Sequence, residues 1–504
     1  MEILMDDRPL YAVLVSLLAV PMIVWSGDRE NLREVWTFAA AIFKLALVLS
    51  IAAVVSKGSL VVAHPIPLVH GFKLELVADP LGVIFALLAS SLWIVTSIYS
   101  VGYMRAGKYQ HQTGYFAFFA ICLSATLGIA FAGNLITFFI FYEILTVATY
   151  PLVIHNRDQE SVLGGRKYLI YTFIAGQCFL AAIVATGYLA DGNLSFSPGG
   201  ILATRLPGGE YMLPGNPTIL RLVFVLFMIG VGVKAAIMPL HGWLPSAMVA
   251  PTPVSSLLHA VAVVKAGAFG CLRIVGFIYG VGLMEELGLN DFLAAFAVVT
   301  IIVGSLRALG SQNLKQRLAF STVSQLSYIV LGAAIGSKDA LIGAIFHVVA
   351  HGFMKITLFF CAGSIYTRYH TYHIPRLRGM GRKMPVTFAA FTIGACGIAG
   401  MPLVAGFLSK WNLALGAIHA DRTILVAALV LSSLLNVAYF FPIIRDAFLE
   451  SDDPVSFEEC WWPVWIPPVI TACCAVILGL NPNAFVGFFN LAELAAHGIV
   501  FGGG

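Results

Sequence analysis

Apolar residues run in stretches of about twenty along nearly the whole chain, broken by short segments where Gly, Pro and charge collect. This is the pattern of helices that cross a bilayer. A window of about 19 residues predicts roughly fourteen spans, near 10–26, 35–56, 78–103, 113–131, 133–154, 167–190, 221–240, 252–280, 290–310, 317–336, 339–367, 386–415, 422–449 and 461–489. The tightest boundary falls between the fourth and fifth, where only Ala132, Gly133 and Asn134 mark a turn. The longest polar segment starts at Asp191, is rich in Gly and Pro, and reads as a loop. The fold class is therefore all-α and polytopic. It divides into an N-terminal three-helix region (1–112), spans 4–8 (113–285), spans 9–13 (286–450) and a C-terminal span 14 (451–504).

Composition narrows the class. The chain is 59% hydrophobic and 11% charged, against about 25% charged for a soluble domain, so no soluble domain of normal size is expected. The net charge of +4 is spread over loops and forms no nucleic-acid patch. Loops after odd-numbered spans hold 16 basic residues, while loops after even-numbered spans, with the N-terminus, hold 7. The odd loops are therefore expected to face the cytoplasm and both termini to lie outside it, in a plasma (inner) membrane. The start of the chain is acidic and reads as no secretory leader, so the first span directs insertion. Eight cysteines are scattered without metal-ligand spacing and read as apolar fillers, and no metal site is expected from them.

Against this apolar background a few ionisable residues stand out: Lys44, Glu143, Lys234, Lys265, Lys355 and Lys410 all lie inside spans. A charge at mid-bilayer costs roughly 2.5–3.5 kcal/mol, and residues kept there usually mark an ion pathway. Lys234 precedes Pro239 by five residues, and Gly400, Pro402 and Gly406 precede Lys410. Proline inside a span breaks the helix, and broken helices at mid-depth are a way of building ion sites. Two such spans, the seventh and the twelfth, suggest two structural repeats, spans 4–8 and 9–13.

Glu143 needs a cation, and Lys234 is the partner expected for a switching pair. His259 and Lys265 lie on different faces of span eight. His347, His351 and Lys355 recur every fourth residue on one helical face, which suggests a relay through neutral imidazoles ending at Lys355. The same two histidines could alternatively ligate a metal or haem. Lys44 lies in a peripheral span and is expected to snorkel. Asp79, followed by Pro80, is expected to open the third span, and Arg273 to form a structural ion pair.

The segments KAAIMPLHGWLPSAMVAPTPVSSLLHAVAVVKAG, GNLITFFIFYEILTVATYPLV, QRLAFSTVSQLSYIVLG, HVVAHGFMKITLFFCAGSI and ADPLGVIFALLASSLWIVTSIYSVGYM resemble the antiporter-like subunits of complex I, of Mrp cation/proton antiporters (the Mrp D-type among them) and of membrane-bound hydrogenases. The likeness runs from about residue 75 to 445. It implies fourteen helices with two inverted five-helix repeats, broken helices 7 and 12, and a hydrophilic central axis. Glu143 matches the family's glutamate of span five, Lys234 the lysine of span seven, Lys265 the connecting lysine of span eight and Lys410 the terminal charged residue of span twelve. Where the family's medium-sized complex I subunit usually carries glutamate, this chain has Lys410, which is more like the Mrp-type subunits, the hydrogenase-linked modules or the other complex I paralogues. The lateral helix that some relatives carry after the last span is not expected here.

The function that follows is translocation of protons, alone or in exchange for sodium. Protons would pass from a Glu143–Lys234 gate along Lys234, His259, Lys265, His347, His351 and Lys355 to Lys410, with helix breaks at Pro239 and Pro402. The expected partners are homologous antiporter-like and small membrane subunits, with the lipid bilayer around them. No cofactor and no redox chemistry of its own are expected. An alternative is a core NADH-quinone oxidoreductase subunit; more distant ones are a stand-alone solute transporter and a haem- or quinone-binding enzyme subunit.

Overall fold

The computed structural model describes residues 2–205, 211–212, 214–449 and 456–502. Its long helices are α1 (Arg8–Ser26), α2 (Glu30–Val55), α3 (Pro80–Ala106), α4 (Gln112–Ala130), α5 (Leu135–Val153), α6 (Gln159–Leu189), α7 (Pro217–Lys234), α8 (Thr252–Tyr279), α9 (Leu289–Gly310), α10 (Leu314–Ile335), α11 (Lys338–Tyr369), α12 (Pro385–Ala399), α13 (Ala405–His419), α14 (Ile424–Leu449), α15 (Trp462–Leu480) and α16 (Ala484–Phe501). Fourteen helices among the described residues are long and apolar enough to cross a membrane.

Local chemistry sets the starts. Asp79, Asn134, Asp158, Asn216, Asn313 and Ser337 each accept a backbone N–H from the first turn of the helix that follows, the usual way of satisfying donors that have no intrahelical partner. Pro80, Pro217 and Pro385 occupy first-turn positions, where the missing N–H costs nothing.

The fourteen include both helices of the C-terminal span but neither half of span twelve, whose break is the one the sequence predicts. Span twelve is two helices of 15 residues each, α12 and α13, separated by Gly400 at φ +85° and Leu403 at φ +71°. The C-terminal span is also broken. Pro463, at the start of α15, packs at Gly102 near the end of α3, whereas Ala495 and Gly498 of α16 lie beside Asp79 and Pro80 at its start. The two helices together therefore traverse the length of α3 once, with the kink at Phe485 and Gly487, both of positive φ.

Both chain ends reach one face of the molecule. Ile3–Met5 pairs with Leu60–Val62, which pairs with Val77–Ala78 before α3, and Gly502 packs beside Pro198 in the loop after α6.

The centre is formed by α8, α10 and α11, which are almost wholly enclosed. α11 touches α3, α8, α10, α12, α13, α15 and α16. A helix ringed by neighbours has no lipid-facing side, so its polar residues must find partners inside the protein.

Two peripheral features show how those partners are found. Lys44 does not snorkel: it is fully buried, donates to Ser16 Oγ at 2.6 Å and lies 5.1 Å from the Trp93 ring. α1 and α3 close over it, so its stem has no route to the interface. At the face that carries both termini, Arg273 of α8 forms a bidentate pair with Asp79 at 2.5 and 2.7 Å, and Asp79 also caps α3. Removing one partner of such a buried pair strands the other charge. Asp79→Ala is therefore expected to cost about 3–5 kcal/mol, read as a lower unfolding temperature of the detergent-solubilised protein. An unchanged transition would show that the pair is dispensable.

Candidate functional site

The broken seventh helix sets the first part of the site. α7 stops at Lys234, Ala236 adopts φ +57°, and the chain continues through short turns from Leu240 to Val249. A non-glycine residue in that left-handed region signals a locally over-determined backbone. The groups the break exposes are satisfied locally: Trp243 Nε1 donates to Val233 O at 2.6 Å, and the Met238 N–H donates to Thr300 Oγ1 at 3.0 Å. Gly267 of α8 lies against the backbone at Ala235, where a Cβ would collide, so the two helices meet backbone to backbone at the break.

Lys234 is fully buried and donates to the carbonyl of Tyr142 at 2.6 Å, with its ammonium 3.2 Å from the Tyr142 ring centre. The hydroxyl of Tyr142 donates to Gly230 O, tying α5 to α7. Glu143 is half-buried and stands over Gly176 of α6, and its Oε1 has no hydrogen-bond partner among the described residues. The expected Glu143–Lys234 contact is thus open in this conformation. The lysine rests on the carbonyl of the residue next to the glutamate, within reach of its electrostatic field.

In α8 a π-helical turn, Leu257–Val261, carries His259. The extra residue per turn re-aims the helix, a device often found at functional positions. Both His259 and Lys265 meet α11: the His259 ring lies 4.7 Å from the Phe359 ring, and Lys265 Nζ is 2.9 Å from His351 Nδ1. Both ring nitrogens of His259, and Nε2 of His351, are buried without partners among the described residues.

From His351 the line continues along α11. The rings of His351 and His347 are 5.8 Å apart, and His347 Nδ1 lies 2.8 Å from Ser409 Oγ. The Tyr328 ring stacks on His347 at 5.5 Å and lies 5.0 Å from the Lys410 ammonium. Lys410 donates to Ile398 O at 2.7 Å and Ser433 Oγ at 3.1 Å. Ile398 is in the last turn of α12, where carbonyls lack intrahelical donors and a cation is favoured. Gly400 leaves the room that the Lys410 stem occupies.

Lys355 departs from the expected relay. It turns away from the histidines to Ser321 Oγ at 2.8 Å. From Ser321 a branch runs through the hydroxyl of Tyr439 to Asn436, which donates to the same Ile398 carbonyl that holds Lys410. Lys355 therefore reaches Lys410 by a route parallel to the histidines, because residues four apart on α11 drift round the helix toward α10. Pro239 and Pro402 sit inside the two breaks.

A further buried lysine falls in what the sequence pattern assigns to a loop. Lys315, in the first turn of α10, donates to Ala250 O at 2.6 Å and lies 5.2 Å from the Tyr372 ring. It lines a cavity of about 670 Å³ together with Tyr103, Tyr109, Glu160, Lys167 and Gln316. Sequence reasoning misses the tyrosine, serine and asparagine hydrogen-bonders of these clusters, since one hydroxyl in an apolar run carries no periodic signal. Outside the spans, burial, helped by the nearby His111, pushes the His155 imidazole down to about 4, so this ring is neutral where it packs between Tyr109 and Tyr115. No cluster of three or more His, Cys, Asp or Glu side chains suited to a metal ion occurs among the described residues.

The transmembrane family described as NADH:quinone oxidoreductase/Mrp antiporter matches residues 132–436. The NADH-quinone oxidoreductase subunit N of Desulforudis audaxviator (strain MP104C) is 34% identical over 382 residues, 75% of this chain and 73% of that subunit. A Na(+)/H(+) antiporter subunit of Alkalihalophilus pseudofirmus is 31% identical over 456 residues, 84% of this chain, which spans 54% of that longer protein. In fold, the chain is similar to a chain of the Mrp complex from Dietzia sp. DQ12-45-1b, with a TM-score of 0.85 at 21% identity over 98% of this chain and 97% of the other. It is also similar to one of respiratory complex I from Thermus thermophilus, with a TM-score of 0.80 at 20% identity over 97% and 99%.

Proposed function

The chain belongs to the NADH:quinone oxidoreductase/Mrp antiporter transmembrane family, and from that premise we propose that it translocates protons as one subunit of an Mrp-type or complex I-like assembly. The observation that supports this most is a buried line of ionisable groups through the middle of a membrane protein, joined at its centre by the Lys265–His351 hydrogen bond. Such groups are expensive at membrane depth and are kept where charge moves.

In this reading the Lys265–His351 pair shares a proton. When Lys265 donates, His351 accepts at Nδ1 and carries its own proton on Nε2; when Lys265 is neutral, the imidazole can donate from Nδ1 instead. The proton's route onward is His347, Ser409 and Tyr328 toward Lys410, while Lys355 holds a proton on a side branch with Ser321 and Tyr439 that Asn436 and the Ile398 carbonyl tie to the Lys410 site without carrying the proton across. Glu143 acts as the gate: drawn toward the carboxylate, Lys234 holds its proton, and returned to the Tyr142 carbonyl it is readier to release it. Charge motion along a low-dielectric axis is felt strongly at the next site, which couples this gate to a neighbouring subunit. Spans 4–8 and 9–13 would supply one half of the path each, with the loops after odd helices toward the cytoplasm and both termini outside.

The test is proton translocation by the intact assembly in proteoliposomes, followed with a pH-sensitive dye. Lys234→Ala is expected to slow it by at least about tenfold, whereas Lys44→Met, which keeps the side-chain volume off the axis, leaves it near the parent rate. Equal losses at matched assembly would remove the axis from the mechanism.

A further inference from the structure

Resting on that proton path, we propose that Glu459, in the loop between α14 and α15, is a positioning residue for Lys410. It fixes the height of the half-helix α12, and with it the Ile398 carbonyl on which the Lys410 ammonium rests. The contacts are specific. Glu459 Oε1 accepts the N–H of Val386 at 2.8 Å and that of Thr387 at 2.9 Å, and Oε2 accepts the Thr387 hydroxyl at 2.6 Å. Val386 and Thr387 are the second and third residues of α12, whose N–H groups have no acceptor within the helix.

A cap of this kind does more than complete the helix. At α3, α5, α6, α7, α10 and α11 the capping side chain belongs to the residue just before the first turn. Such a cap travels with its helix and does not decide where the helix sits. Met384, before α12, gives no side-chain cap. The carboxylate comes instead from 73 residues beyond Val386, on a segment itself held to α11. Glu458 Oε2 accepts from the Tyr369 hydroxyl at 3.0 Å and from Arg368 Nη2 at 3.2 Å, and Cys460 Sγ donates to Ser364 O at 3.1 Å. Cys361 Sγ of α11 donates to Thr387 O at 3.2 Å. The segment is thus a clasp between the end of α11 and the first turn of α12.

Height matters because of what α12 carries at its other end. Toward α11 it presents Gly394 and Gly397, which lie on Leu358 and Met354, and glycine offers no side chain to lock the two helices in register. From Val386 to Ile398 is about 18 Å along a hydrogen-bonded helix, so a shift of the first turn is carried to the break. There Ile398 O accepts from Lys410 at 2.7 Å and from Asn436 at 3.1 Å. α11 carries His347 and His351, and the clasp therefore sets the Lys410 site relative to the histidines. That carbonyl also bears on how firmly Lys410 holds its proton.

The experiment compares Glu459→Ala, Glu459→Gln and Lys410→Met in the complete assembly, with proton translocation followed from about pH 6 to 9 and rates taken per assembled complex. Glu459→Ala is expected to slow translocation about tenfold and to displace its pH–rate profile by about one unit, the equivalent of one hydrogen bond to a charged group. Glu459→Gln keeps an acceptor for both N–H groups and is expected within about threefold of the parent, with the profile in place. The ionisable groups packed about Lys410 are His347 and Tyr328; those about the clasp are Cys361, Arg368, Tyr369, Glu458 and Cys460. All are unchanged in the Glu459 variants. If Glu459→Ala does not assemble or gives no measurable rate, Glu459→Asp, one methylene short of the same reach, replaces it with the same expected displacement. Lys410→Met inactive with an undisplaced profile in the Glu459 variant, whether at parent rate or merely slower, overturns the positioning role and leaves the path standing. An active Lys410→Met overturns the path itself.

Discussion

Glu143→Gln is expected to abolish proton translocation, a loss of about 10²-fold or more, while the protein still inserts and joins its assembly. Glutamine keeps the size of the side chain and its fit over Gly176, so packing between α5 and α6 is preserved. What it removes is the charge. The Lys234 ammonium now lies on the carbonyl of Tyr142, one residue away, and Glu143 Oε1 is free of partners among the described residues. A short swing of a four-carbon stem would exchange one acceptor for the other. Only the carboxylate makes the two positions electrostatically different, and without that difference nothing biases the lysine's proton. Translocation by Glu143→Gln at the parent rate, at equal assembly, would remove Glu143 from the gate.

Much of the architecture is legible because membrane crossing imposes a length and an apolar composition on each helix. Pro239 and Pro402 mark the two breaks, and the Ala132–Asn134 turn separates α4 from α5 where expected. Asp79 opening α3 and Arg273 in an ion pair are also readable, the first from its neighbour Pro80 and the second from a charge that needs a counterion. The break between α15 and α16 does carry a turn signal, Asn481-Pro482-Asn483, but a window of about 19 residues averages it into the apolar residues on either side.

Side-chain partnership is harder to read. A helix that is apolar all round gives no moment to say which face meets which neighbour. Spacing alone therefore chains His351 to Lys355, whereas the fold pairs His351 with Lys265 and turns Lys355 to Ser321. Lys44 and Lys315 mislead for the same reason: one reads as lipid-facing and the other as a loop residue, yet both are enclosed. Lysine at 410 points toward an Mrp-type or hydrogenase-linked setting. Sequence similarity runs to both settings, at 34% identity to an NADH-quinone oxidoreductase subunit and 31% to a Na(+)/H(+) antiporter subunit, and a single residue hardly moves such figures.

That terminal residue gives the second large effect. Lys410→Arg is expected to fail at translocation as completely as Lys410→Ala. If Lys410 passes the proton onward, it must alternate between charged and neutral, and a guanidinium stays protonated at any accessible pH. The surroundings add a steric constraint, because the lysine stem lies against Gly400 and its ammonium reaches Ile398 O and Ser433 Oγ, so the longer arginine also has to fit. Lys410→Met keeps the stem that alanine removes and lacks the titrating group, so it separates loss of packing from loss of the ionisable nitrogen. If Lys410 carries protons, the methionine variant assembles and is inactive. If Lys410 supplies only a fixed positive charge beside Tyr328, arginine restores what methionine and alanine lose. An active Lys410→Arg variant, assembled at the level of the parent, would take Lys410 off the proton's route.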